Sequence, residues 1–324
     1  MGSTGAGLRF WVFGAAVVFA GAAGMVAADS MRMVIGEDVV SVYEAGTPVL
    51  GYRYREVPYK PYVQRLSTPA GVNVLLDAPP DHPHHHGLMF AVTVDGVNFW
   101  EEQKAPGLEM HRRFVDVQVS EQDGVPYAGF SEEIDWMNPA SGQVLLREQR
   151  AIEVRRLAEP EVTLLRWRSK LQVPADRKEV RLSGSHYHGL GLRFVRSMDR
   201  VGDFYNADGR AGKIFRGEER LVRSRWCAYS AKAGSKYVTV AMFDDPGNAR
   251  HPATWFTMRE PFGYLAGTLG LQAEPLKIKP QEPLVLRYGV VLWDGRAKAE
   301  VIEKTYRYWV SLEREAVAAE QAEE

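Results

Sequence analysis

The chain has 324 residues, 45% of them hydrophobic, which is enough to bury a sizeable core. Its 40 Lys and Arg balance 41 Asp and Glu, so no bulk charge draws it towards nucleic acid or an anionic membrane. The single cysteine, Cys227, excludes an intramolecular disulfide framework, and its apolar setting in Arg-Trp-Cys-Ala-Tyr points to buried packing rather than to a nucleophile.

Arg9 precedes an apolar run from Phe10 to Ala20, followed by small residues ending Met25-Val26-Ala27-Ala28-Asp29. A positive start, an apolar stretch and an A-x-A-like end predict a signal peptide over 1–28, cleaved between Ala28 and Asp29. The run is short and glycine-broken for a bilayer span, which needs about 20 apolar residues. The mature protein is therefore expected in the periplasm or outside the cell, with no membrane contact after cleavage.

Strand signals dominate from Met31 to Trp293. Val39 to Tyr43 and Val49 to Tyr54 are β-branched and aromatic, and Phe114 to Val119 alternates apolar with polar. Asp95-Gly96 and Asp123-Gly124 are hairpin signals. Val144 to Arg155, Val162 to Val173, Val180 to Leu182 and Tyr237 to Phe243 continue the pattern between Asn-Pro, Glu-Pro and Asp-Pro breaks. Many strands joined by tight turns predict an all-β fold, an antiparallel sandwich or supersandwich, as a single domain over 29–319. One helix is expected from Arg296 to Ala319, capped by Asp294, with Val301, Ile302, Thr305, Trp309 and Leu312 on one face. Residues 320–324 read as a frayed acidic tail. Gly189-Leu190-Gly191 lacks the rest of a dinucleotide fingerprint.

Asp81-His82-Pro83-His84-His85-His86-Gly87 holds four of the eight histidines, and His186 and His188 follow in Gly-Ser-His-Tyr-His-Gly. Residues two apart on a strand share a face, so His84 with His86, and His186 with His188, are predicted to project in pairs. Three of them, His84, His86 and His188, are the candidate catalytic groups. They are also the candidate ligands of a divalent metal, because neutral imidazole suits zinc, copper, iron and nickel. Acid–base chemistry without metal is equally open to them, a histidine beside a carboxylate such as Asp81, Glu101, Glu102 or Glu109 being able to shuttle a proton near neutrality. Arg65 and Arg193 can hold an oxygen-rich ligand, and Trp100 offers a flat surface for a sugar ring. Asp81, His82, His85, His186 and His251 complete the candidate binding set.

These segments resemble a known family. Pro61-Tyr62-Val63, Thr68-Pro69-Ala70-Gly71-Val72, Asp81 to Leu88, Asn98-Phe99-Trp100, Gly189 to Arg193 and His251-Pro252-Ala253-Thr254-Trp255 are similar to the family labelled methane oxygenase PmoA. That family often has Arg after the two histidines where this chain has His86, so position 86 is either a charge clamp or a third imidazole. The resemblance implies a galactose-mutarotase-like supersandwich and a carbohydrate role. It does not imply methane oxidation, since the mature chain has no run able to form spanning helices. The leading expectation is an exported lyase, hydrolase or epimerase acting on a sugar, glycoside or oligosaccharide. A metal-dependent cupin-like oxygenase and a non-catalytic glycan-binding module are the alternatives.

Overall fold

The computed structural model describes residues 24–27 and 31–323. The apolar run and the expected cleavage point lie outside the described residues. Gly24–Ala27, on the leader side of that point, pairs antiparallel with Met31–Ile35. No described helix is long and apolar enough to cross a membrane.

The chain folds as antiparallel β-sheets with one C-terminal helix, as its alternating segments predict. An eleven-stranded sheet runs from Gly24–Ala27 at one edge to Lys213–Arg216 at the other. At its centre Tyr62–Leu66, Leu88–Ala91, Gly189–Arg193, Tyr264–Thr268 and Thr254–Met258 lie side by side. An eight-stranded sheet runs from Asp203–Asn206 to Leu108–Gln122. A small four-stranded sheet includes the hairpin Thr93–Val94 and Val97–Asn98. Its turn residues Asp95 and Gly96 both have positive φ, the requirement of the two-residue turn predicted there.

Two-residue alternation sorts the eight-stranded sheet into two apolar faces. In Leu284–Asp294, Leu286, Tyr288, Val290 and Leu292 enter the core between the large sheets, where Phe90 meets Trp136. Val291 and Trp293 point the other way and are covered by Ile302, Tyr306 and Trp309 of the helix. Gly289 makes that contact close: a Cβ there would lie 3.1 Å from both Phe243 and Trp309. Cys227 is buried, and burial pushes its thiol well above the usual range.

The helix is displaced from its expected bounds. It spans Ala299–Glu323, and residues 320–323 continue it rather than fray, with Glu320 paired to Arg168 at 2.9 Å. Asp294 ends a strand instead of capping the helix. Its carboxylate accepts hydrogen bonds from Thr68 Oγ1 and the Ala70 amide, each at 2.7 Å. A short side chain with two acceptors serves a neighbouring turn as readily as a helix end.

Candidate functional site

The histidine segment is a run of turns, not a strand. The His82 amide donates to Pro79 O at 2.9 Å and the His85 amide to His82 O at 3.0 Å. Gly87 follows at φ 37°, pressed so closely on Val63 that a Cβ would overlap its carbonyl oxygen. Two-residue spacing therefore no longer means a shared face. His84 and His86 diverge, which corrects the expectation that they project together.

His86 turns towards Tyr62, between two carboxylates. Its Nδ1 lies 2.9 Å from Asp77 Oδ1 and its Nε2 3.2 Å from Glu102 Oε2, while Lys60 Nζ donates to Glu102 at 2.6 Å. Burial pulls the imidazole pKa down, but the bonds to Asp77 and Glu102 outweigh it and hold the value above the ordinary one. Position 86 thus places its imidazole between two carboxylates. A ring with both nitrogens engaged this way braces the loop.

The remaining imidazoles gather around Trp100. An Asx turn delivers the indole, Asn98 Oδ1 accepting from the Trp100 and Glu101 amides at 2.8 and 3.0 Å. His84 and His85 meet it edge-on at 5.2 and 5.4 Å, and His188 stacks on it at 5.4 Å with 8° between planes. Tyr264 packs against His85 at 5.0 Å. Gly191 makes room for it, since a Cβ there would sit 2.3 Å from the Tyr264 hydroxyl. Phe90 faces the inter-sheet core, so its neighbour Met89 and the paired Gly191 present the opposite face. The cluster lies on that face of the eleven-stranded sheet.

His186 and His188 also part company, because 186–188 is again a turn. His186 bonds Glu219 at 3.0 Å and stacks on the exposed Phe215 at 3.8 Å, at the flank of the cluster. Between them, the Tyr187 hydroxyl donates to Glu101 at 2.5 Å. Arg193 is buried beneath the loop, its guanidinium 3.9 Å from the Phe262 ring and near Asp81 and Asp199.

The polar atoms here are conspicuously unmatched. His85 Nδ1, Trp100 Nε1, both nitrogens of His188, Arg193 Nε and the Tyr264 hydroxyl are buried without a hydrogen-bond partner. Native interiors pair nearly all such groups with protein or water, so these atoms are free to bond water or a ligand. Burial pushes His85 down to about 2 and His188 down to about 3, and lowers His84 as well. All three are therefore neutral rings near pH 7.

Several expected residues fall elsewhere. Arg65 lies exposed, its strand neighbour Gln64 instead turning in to bond Asp77. His251 is held by Asp244 at 2.6 Å in a separate loop. The expected metal nest of His84, His86 and His188 does not form: His86 is taken up by Asp77 and Glu102, and among the described residues no three His, Cys, Asp or Glu side chains are placed to hold an ion. The sequence reading overlooked Lys60, Asp77, Tyr187 and Tyr264. Tyr187 was within reach, since it separates the two histidines of the second motif. Gly184 beside that motif supports a direct test. A Cβ there would lie 2.4 Å from His188 Nδ1, so Gly184→Ala is expected to displace the ring and lower stability, with chemical denaturation as the readout.

A model of a family of unknown function, DUF6807, matches residues 39–307. The chain belongs to that family. The match takes in the histidine loop, Trp100, the second histidine motif and the first turns of the helix of this DUF6807 protein, and it says nothing of the PmoA label. Comparison with curated proteins gave no match. Among solved structures, the protein is similar to an α-galactosidase from Lactobacillus brevis at TM-score 0.40 and 6% identity, over 84% of this chain and 39% of that one. It is also similar to a glycoside hydrolase family 97 enzyme from Pseudoalteromonas sp. strain K8 in complex with panose, at TM-score 0.42 and 8% identity, over 83% and 35% of the two chains. A third is the Slr1438 protein from Synechocystis sp. PCC 6803, at TM-score 0.36 and 8% identity, over 86% and 99%. The DUF6807 chain thus spans well under half the length of the two glycosidases.

Proposed function

We propose that the protein is an exported enzyme that binds a sugar against Trp100 and moves a proton with His84. The observation that carries this reading is the set of buried, unpartnered donors and acceptors around a flat indole. A sugar offers hydroxyls that both donate and accept, the complement of these orphaned atoms. The PmoA-like motifs, which supply the histidine loop and Trp100, favour the same carbohydrate setting.

The roles within the cluster follow from basicity. A general base works best with a pKa near the working pH. His85 and His188, pushed down to about 2 and about 3, are poor proton acceptors and serve as hydrogen-bond partners for hydroxyls. His84 is less deeply buried, faces Trp100, and is the imidazole best suited to accept and return a proton. Epimerisation or elimination needs such a group. Hydrolysis by paired carboxylates is disfavoured, because Asp77, Glu101 and Glu102 are each held by a histidine, tyrosine or lysine.

The test is a panel of sugars and glycosides followed by NMR for anomer exchange, epimers and unsaturated products. Turnover is expected, and His84→Gln should lower it by about 10²-fold or more with the melting temperature nearly unchanged. Binding without turnover by any member of the panel would overturn the enzymatic reading in favour of a glycan-binding module.

A further inference from the structure

Every cationic side chain around the cluster already has an opposite charge within reach, and Glu101 is held by the Tyr187 hydroxyl and Asn98. Lys60 is paired with Glu102 at 2.6 Å, and His86 lies between Glu102 and Asp77. Arg193 sits 3.7 Å from Asp81 and 3.5 Å from Asp199, while Arg196 lies 3.3 Å from Asp81. At the flank Arg216 and His186 share Glu219 at 2.7 and 3.0 Å. The groups left over are uncharged: the imidazoles of His84, His85 and His188, the Trp100 indole and the Tyr264 phenol.

We infer that the ligand of this site is a neutral sugar, and that sugars carrying a carboxylate or phosphate are rejected. The inference rests on the sugar reading above and adds the charge class of the substrate. An entering carboxylate would lose its water and find each cation already neutralised, with Asp81 and Glu102 beside it. An anion buried without a counter-charge is strongly disfavoured. A hydroxyl faces no such cost, since it can accept from the indole N–H and donate to an imidazole nitrogen at the same time. Arg193, whose fork would suit a carboxylate, is turned into a framework group by Asp81, Asp199 and the Phe262 ring.

The experiment is calorimetric titration of the intact protein with methyl glucoside, methyl galactoside and maltose, set against glucuronate, galacturonate and glucose 6-phosphate. The neutral members are expected to bind at least about tenfold more tightly than their anionic counterparts. Asp81→Asn, a change at an exposed position, should free Arg196, leave Arg193 with Asp199 alone, and raise the affinity for the uronates several-fold relative to that for the neutral sugars. Equal or tighter binding of uronates by the unaltered protein would overturn the inference and leave the sugar reading standing. Failure of every member to bind would overturn the sugar reading and this inference with it.

Discussion

Acidification from pH 6.5 to 4.5 is expected to remove about 5 kcal/mol of folding stability through His85 and His188. Glu109, its carboxyl pushed up to about 8 by burial, returns about half of that. His85 and His188 are buried as neutral rings, with pKa values pushed from the ordinary 6.5 down to about 2 and about 3 by burial. Between those values and 6.5 the unfolded chain binds protons that the folded chain refuses. Each histidine then costs about 1.4 kcal/mol per pH unit. His86 does not offset this. Its raised pKa contributes stability that is fully present below 6.5 and is lost only as pH rises through the folded value. The lowered values of Asp77 and Glu102 add a further loss below about 4.5, as those carboxylates protonate. A domain is typically stable by about 5–15 kcal/mol, so the net loss is a sizeable fraction of the whole. Urea denaturation across pH 7.5 to 4.5 measures the effect, and His188→Asn should make the slope shallower. A midpoint that stays constant over that range would refute the assignment of neutral, water-excluded rings.

Substitution of Arg150 by Ala is expected to cost about 3–5 kcal/mol, the usual penalty for stranding a buried charge. Arg150 is fully buried in the eight-stranded sheet. Its guanidinium reaches Glu148 at 2.8 Å, Glu109 at 3.0 Å and the Pro61 carbonyl at 3.0 Å, and lies over Trp167 at 4.8 Å. Glu148 also accepts from the Trp136 indole and the Ser169 hydroxyl. Without the arginine, two carboxylates would be left in a water-free core. Arg150→Met alone fills the volume and leaves that charge behind. Adding Glu148→Gln removes one charge while keeping an acceptor for Trp136, and should recover part of the loss. Chemical denaturation of the single and double variants checks this; a single variant within about 0.5 kcal/mol of the parent would contradict the buried network.

The β architecture was legible because its signals are local. Alternation in Phe114 to Val119, the β-branched run from Val39 to Tyr43 and the Asp95-Gly96 turn depend on neighbours in the chain, and the structure follows them. The histidine segments were legible as a site by composition but not by geometry. Strand spacing was applied to residues 81–87 and 186–188, where turns redirect each side chain separately. His86 and His186 are claimed by Asp77, Glu102 and Glu219, partners 9, 16 and 33 residues away. Such distant pairing leaves no periodic trace. Arg65 shows the converse limit, since an alternating strand fixes which residues share a face and not which face holds the ligand.

The order of strands also sets a pace for folding. Leu88–Ala91 and Gly189–Arg193 are hydrogen-bonded neighbours, yet four long strands of the other sheet, from Leu108 to Gln172, are threaded between them in the chain. Asp294 closes on Thr68 and Ala70 across more than two hundred residues. The entropy of closing such loops is lost before the contacts they bring can compensate, which places folds of this kind at the slow end of the range, milliseconds to seconds or longer. The meander of strands from Leu108 to Gln172, each paired with the next in the chain, can assemble early. The platform beneath Trp100 has to wait for a partner that arrives a hundred residues later.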